Sequence, residues 1–165
     1  MASSARTAFL DRDGTINRKP PEGDYVKSWQ EFAWLPGALE AIRLLKEEGW
    51  RVIVVTNQRG VALGRMRAED VEQIHHRMLA QAPIDAVYTC PHELHTCDCR
   101  KPRVGLFLDA QHDFPDIDFA RSVVIGDTRS DMEAGERIGA RTVQVGERPL
   151  PSLLQAVERL VEQEV

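Results

Sequence analysis

The stretch FLDRDGTIN, residues 9–17, places two carboxylates, Asp11 and Asp13, at the end of an apolar run with Gly14 directly behind them. In an extended chain, side chains two positions apart point to the same side, so both acids face one region, and the glycine lets the backbone turn sharply after them. A third acid, Asp127, ends a separate apolar run, RSVVIGD. Three carboxylates gathered in one place raise each other's pKa unless a hard cation sits among them, and an octahedron of carboxylate and water oxygens suits Mg2+. With such a cation holding one phosphoryl oxygen, Asp11 can attack phosphorus and form an aspartyl-phosphate. Asp13 would protonate the leaving alcohol and later deprotonate the attacking water. The phosphate's remaining oxygens need partners of their own. The Thr56 hydroxyl, nearby backbone N–H groups and the Lys101 ammonium can serve, each charge-assisted contact contributing about 1.5–3 kcal/mol.

A second chemical cluster lies in CPHELHTCDC, residues 90–99. Cys90, His92, Cys97 and Cys99 offer three thiolates and one imidazole, a set suited to tetrahedral structural Zn2+. Four protein ligands fill the shell, so the expected role is to fold a loop and aim Arg100 and Lys101, not to do chemistry. His95 competes with His92 for the fourth position. His75, His76 and His112 read as surface residues.

Positioning these groups requires strands that end where the polar residues begin. TAFLD (7–11), WRVIVV (50–55), IDAVYTC (84–90), RSVVIGD (121–127) and RTVQVG (141–146) are β-rich runs. Between them Ala38, Ala41, Ile42 and Leu45 share one helical face that Gly49 ends, and Val71, Ile74 and Met78 repeat at helical spacing. Further helices are expected over 104–112, 130–138 and 150–163, the last an ordinary amphipathic helix carrying the acidic end VERLVEQEV. Such alternation predicts an α/β fold, a doubly wound parallel sheet of the Rossmann-like kind with helices on both faces. Ligands then bind beyond the carboxyl ends of the strands. Asp11 and Asp13, the TNQRG stretch (56–60), the Cys/His cluster with RKP, and GDTRSD (126–131) all fall at such ends.

The 165 residues fit a single domain, 1–165, with the zinc-binding loop 90–99 as its one embellishment. Between Asp13 and Thr56, and again between Thr56 and Lys101, there is room for a helix, a strand and a loop but not for a cap domain, so the site should be open. Specificity then falls to the Cys/His loop and to 18–32, a Pro-rich and then aromatic flap. Trp29 and Phe32 in that flap, and Trp34 just after it, are read as packing residues ahead of sugar contacts. A net charge of -5 speaks against nucleic-acid or membrane-surface binding. The start MASSART lacks the apolar core of an export signal and no run is long enough to span a bilayer, so a cytoplasmic monomer is the default expectation. Three cysteines crowded within ten positions point to metal over disulfides.

DRDGT, VVTNQ, RKP and GDTRSD resemble, in order, the four motifs of the haloacid dehalogenase-like phosphohydrolases, from about Phe9 to Gly146. The closer likeness is to the subfamily that holds the heptose 1,7-bisphosphate 7-phosphatases and the histidinol-phosphate phosphatases, whose FLDRDGTIN and CPH…CDCRKP stretches it shares. That resemblance implies Asp11 as nucleophile and Asp13 as general acid/base. It implies Mg2+ held by Asp11, Asp13 (through its carbonyl) and Asp127, with Thr56 and Lys101 stabilising the phosphoryl group. It favours His92 over His95. Asn57, Gln58, Arg59 and Arg100 become the expected substrate contacts, Arg100 at the distal end of the substrate, where guanidinium can bind a second phosphate bidentately. Thr128 stands where the family commonly has a basic residue, and Arg59 or Arg129 is the expected source of that charge. A small phosphorylated sugar, a heptose bisphosphate first, is the expected substrate. Histidinol phosphate is the alternative, followed by a 3'-phosphorylated polynucleotide or a sensor that binds without turnover.

Overall fold

The computed structural model describes residues 6–146 and 151–163. Positions 1–5, residue 150 of the expected last helix and the final two residues of the acidic end lie outside them. Five strands, β1 (Thr7–Leu10), β2 (Arg51–Asn57), β3 (Ala86–Cys90), β4 (Val123–Gly126) and β5 (Arg141–Gln144), form one sheet in the order β3-β2-β1-β4-β5. All four pairings are parallel. Helices α1 (Ala38–Glu47), α2 (Ala68–Gln81), α3 (Gly105–Asp113), α4 (Arg129–Ile138) and α5 (Leu153–Gln163) cover its two faces.

Successive strand residues point to opposite faces, so the near-continuous apolar runs feed two cores. On one face Ala8, Leu10, Val52, Val54, Val123 and Ile125 meet Ile42 and Leu45 of α1, Ile74 and Met78 of α2, and Val157 and Leu160 of α5. On the other, Phe9, Ile53, Val55 and Val124 meet Leu106, Phe107 and Ala110 of α3 and Ala134 of α4. Phe9 and Phe107 lie edge to face, 5.0 Å between centroids. The central strand β1 is therefore sandwiched on both sides, which makes its carboxyl end a fixed platform.

The flap keeps the packing role expected of it. Trp29 stacks on Phe32 at 4.8 Å and Phe32 meets Trp34 edge-on at 5.0 Å, all three against the α1 and α2 side of the core. An Asn17–Trp34 bridge and the Arg18 N–H donating to Ala33 O at 2.8 Å tie the flap's two ends together. Among the described residues there is one sheet, and the segments 11–37 and 91–104 carry no second one. No helix among them is long and apolar enough to cross a membrane.

Candidate active site

Asp11 follows β1 and keeps its ladder, its N–H donating to Ile125 O at 3.0 Å. The acids at the ends of neighbouring β1 and β4 are thereby brought together. Carboxylate oxygens of Asp11, Asp127 and Asp131 all lie within 4.8 Å of one another. Two glycines make room for them: a Cβ on Gly14 would stand 2.3 Å from Asp127 Oδ2, and one on Gly126 2.3 Å from Asp131 Oδ2. Gly14 also takes a φ of +89°, open to glycine at little cost.

Lys101 is 3 % exposed and lies at the centre of this group. Its Nζ donates to Asp11 Oδ1 at 3.0 Å, Asp131 Oδ1 at 2.6 Å and Val55 O at 2.7 Å, so all three ammonium protons are placed. Burial pushes the Asp11 carboxyl well above the usual carboxylate range; Lys101 opposes that, while Asp131 and Asp127 reinforce it. Asp131 goes the other way. Burial is outweighed there by Lys101 and by hydrogen bonds from Thr128, and its carboxyl stays below its ordinary value.

The third acid is the residue that motif reading passed over. Asp131 sits in the first turn of α4, where it completes a capping box with Thr128, the Thr128 N–H donating to Asp131 Oδ2 at 3.2 Å. The signal was present in GDTRSD, one helical turn after Asp127.

Asp13 stands apart from these three. Its side chain accepts from Arg12 Nε and Asn17 Nδ2 on Oδ1, both at 2.9 Å, and from Gln58 Nε2 on Oδ2 at 3.2 Å. Burial alone would raise its pKa, but the Arg12 charge and these donors together hold it below the ordinary value.

The TNQR stretch divides its work differently from expectation. Thr56 Oγ1 accepts from Gln58 Nε2 at 2.9 Å, and Gln58 is wholly buried, so its amide orients Thr56 and Asp13 from behind. The Asn57 side chain accepts from the Lys101 N–H at 3.0 Å and donates to Lys101 O at 3.3 Å, holding the backbone that carries the lysine. Arg59 pairs with Glu93 of the cysteine loop, and Arg129 lies on the α4 surface with Glu133 at 3.1 Å. Neither arginine replaces the charge missing at Thr128. A flap residue brings an ammonium to the acid just before Thr128, Lys19 Nζ donating to Asp127 Oδ2 at 2.7 Å. Arg100 is half-buried with Nη1 enclosed and unpartnered.

His92 and not His95 joins the cysteines. The ligand atoms of Cys90, His92, Cys97 and Cys99 lie within 4.8 Å of one another, with Cys90–Cys97 at 3.5 Å and His92 Nδ1 at 3.1 Å from Cys99 Sγ. Tetrahedral bonds of ~2.3 Å separate ligand atoms by roughly 3.8 Å, so the four donors are already near that spacing. Against the cost of burial, the N–H groups of Arg100 and Cys99 and the thiols of Cys90 and Cys99 bring Cys97 down to about 6.

The acid cluster fits a hard divalent cation: its donors are all carboxylate oxygens, and Asp127 Oδ1 is buried without a partner. A parallel sheet with an acid at the end of its central strand, a buried lysine beside it and two acids following the adjacent strand matches the expected haloacid dehalogenase-like phosphohydrolase arrangement. Comparison with known proteins agrees. A family model described as HAD-hydrolase-like matches residues 98–148. The D-glycero-alpha-D-manno-heptose-1,7-bisphosphate 7-phosphatase of Mycobacterium bovis is 44% identical over 149 residues, covering 84% of this chain and 78% of the relative. The D-glycero-beta-D-manno-heptose-1,7-bisphosphate 7-phosphatase of Escherichia coli K12 is 39% identical over 147 residues, 81% of this chain and 75% of that one. A crystal structure of the D,D-heptose 1,7-bisphosphate phosphatase of B. bronchiseptica, complexed with magnesium and phosphate, aligns with a TM-score of 0.84 at 31% identity, covering 96% of this chain and 99% of that one. The chain belongs to the haloacid dehalogenase-like hydrolases, among relatives that are heptose-bisphosphate phosphatases.

Proposed function

We propose that this chain removes the 7-phosphate of D-glycero-D-manno-heptose 1,7-bisphosphate through an aspartyl-phosphate on Asp11. The observation that carries the reading is the convergence of Asp11, Asp127 and Asp131 on the buried Lys101 at the carboxyl ends of adjacent strands. Asp11, Asp127 and the Asp13 carbonyl would hold Mg2+, with Asp131 beside them; bound there, the ion screens the acids from the phosphate and polarises a phosphoryl oxygen. Asp13, ionised in the empty site, takes up a proton as the anionic ester binds beside it; Asp11 attacks phosphorus as the bond to the sugar oxygen breaks, and Asp13 delivers that proton to the oxygen. Water then attacks the acyl phosphate, giving its proton to Asp13 and restoring Asp11. The Thr56 hydroxyl and Lys101, which exchanges its contact with Asp11 for the incoming phosphate, bind the phosphoryl oxygens. Arg100, half-buried and next to Lys101 in the chain, would take the distal phosphate through the exposed part of its guanidinium. Cys90, His92, Cys97 and Cys99 would hold structural Zn2+, which would fix the segment that leads into Arg100 and Lys101.

A parallel panel of both anomers of the heptose bisphosphate, histidinol phosphate and a 3'-phosphorylated oligonucleotide tests the reading. Mg2+-dependent release should be fastest with one of the heptose anomers and should vanish in Asp11→Asn. Faster turnover of histidinol phosphate would move the substrate assignment, and binding without release from any ester would replace the enzyme with a sensor.

A further inference from the structure

Arg12 lies between the two acids of the DRD motif, and its side chain is wholly buried. Its Nε donates to Asp13 Oδ1 at 2.9 Å, and its Nη1 lies 3.1 Å from His75 Nε2. A guanidinium has donors only, so Nε2 must be the acceptor and the ring proton must sit on Nδ1. That nitrogen faces Thr89 Oγ1 of β3 at 3.5 Å. A chain of contacts thus runs from the sheet edge through α2 and Arg12 to Asp13. His75, expected on the surface, is 8 % exposed.

From this geometry we infer that His75 is a positioning residue for proton transfer by Asp13. The guanidinium is planar, so fixing Nη1 on His75 fixes the direction in which Nε–H points. Oδ1 of Asp13 then takes two donors, Arg12 and Asn17, at 2.9 Å each, while Oδ2 takes one, Gln58, at 3.2 Å. Oδ2 is the oxygen left to give its proton to the leaving sugar oxygen and to take one back from water. Without the imidazole acceptor, Arg12 would have Nη1 as well as Nη2 buried and unpartnered. It would rotate to satisfy them and draw Oδ1 with it.

The inference rests on the acid role proposed for Asp13, so the test separates the two. The comparison is kcat/KM for the heptose bisphosphate, whose alkoxide must be protonated to leave, against 4-nitrophenyl phosphate, whose phenolate leaves unaided. General acid catalysis is worth about 10²–10⁴-fold, so His75→Leu should lose on the order of tenfold on the alkyl ester and less than about twofold on the aryl ester. His75→Gln, whose amide oxygen can accept from Arg12, should restore most of the loss. Equal loss on both esters, or no loss, would overturn the role. Asp13→Ala supplies the reference. If it fails to discriminate between leaving groups, the acid role falls and this one with it; if it discriminates and His75→Leu does not, only the positioning role falls. Should His75→Leu not fold, ¹⁵N shifts of the native enzyme decide: a neutral ring protonated on Nδ1 is expected at neutral pH, and the Nε2–H tautomer or an imidazolium would refute the inference.

Discussion

Lys19 reaches Asp127 from the flap with a side chain that is 54% exposed, so its ammonium sits on an oxygen that a divalent cation would also want. Exposed ion pairs are worth about 0.2–1 kcal/mol, so Lys19→Met should tighten Mg2+ binding by no more than about fivefold. Calorimetric titration with Mg2+ in the absence of substrate measures this, and an unchanged or weaker affinity would show that Lys19 does not compete. Residue types pointed to Asp11, Asp13, Thr56 and Asp127 because each ends or follows an apolar run, and to Lys101 because an anionic ligand among acids needs a cation. They did not show which way the side chains turn. Asn57 and Gln58 carry amides that suit a ligand, yet both are engaged with Lys101, Thr56 and Asp13, a fact set by the pairing of β2 with its neighbours. Asp131 was hidden because an acid three residues into a helix already has an explanation as a capping partner. His75 was legible in principle. Val71, Ile74, His75 and Met78 form the one buried face of α2, at the i, i+3, i+4, i+7 spacing, but His76 beside it is exposed, and two adjacent histidines in a polar stretch read as facing water.

At the scale of elements, strand and helix positions came within a few residues of expectation because the sheet's burial on both faces writes long apolar runs. The cysteine loop obeys a different rule. Segment 91–104 has neither helix nor strand, and the half-buried Cys97, Cys99 and Val104 give it only a thin apolar contact with the α3 and α4 side of the core. Asn57, Arg59 and Arg137 grip Lys101, Glu93 and Pro102, and the proposed four-ligand Zn2+ site would supply the rest of its order. Purified protein should therefore hold one Zn2+ per chain by elemental analysis, and Cys97→Ser should lower it while kcat falls on the order of tenfold or more, since metal-site partners commonly cost 10–100-fold. Retention of full activity in a zinc-free sample would assign the cysteines no such role. Helix α5 is anchored conventionally. Leu160→Ala opens a cavity against the sheet and should cost about 2–5 kcal/mol in denaturant unfolding, with Mg2+-dependent turnover unchanged below the transition.

The molecule as a whole carries its net charge of -5 on a fold whose site gathers acids and cations alike out of water, so acid stability has several contributors. One of them can be isolated. Burial, and then the Arg12 charge, lower the His75 pKa from the ordinary 6.5 to about 3 in the folded chain. Between those two values the unfolded chain binds a proton at this position and the folded chain does not. Stability from the neutral imidazole is thus fully present above pH 6.5 and is lost as pH falls toward about 3. Comparing the native protein with His75→Gln at fixed Mg2+ cancels the carboxylates, which both share. The difference in unfolding free energy should be flat above pH 7 and should turn against the native protein by about 1.4 kcal/mol for each pH unit of acidification over most of that window. Parallel urea titrations from pH 7 to about pH 4.5 measure it. A difference independent of pH, or one that favours the native protein as acid is added, would mean that His75 is charged or solvated in the fold. The Arg12 contact would then lose its acceptor, and the route by which the sheet edge holds Asp13 in place would be broken at its middle link.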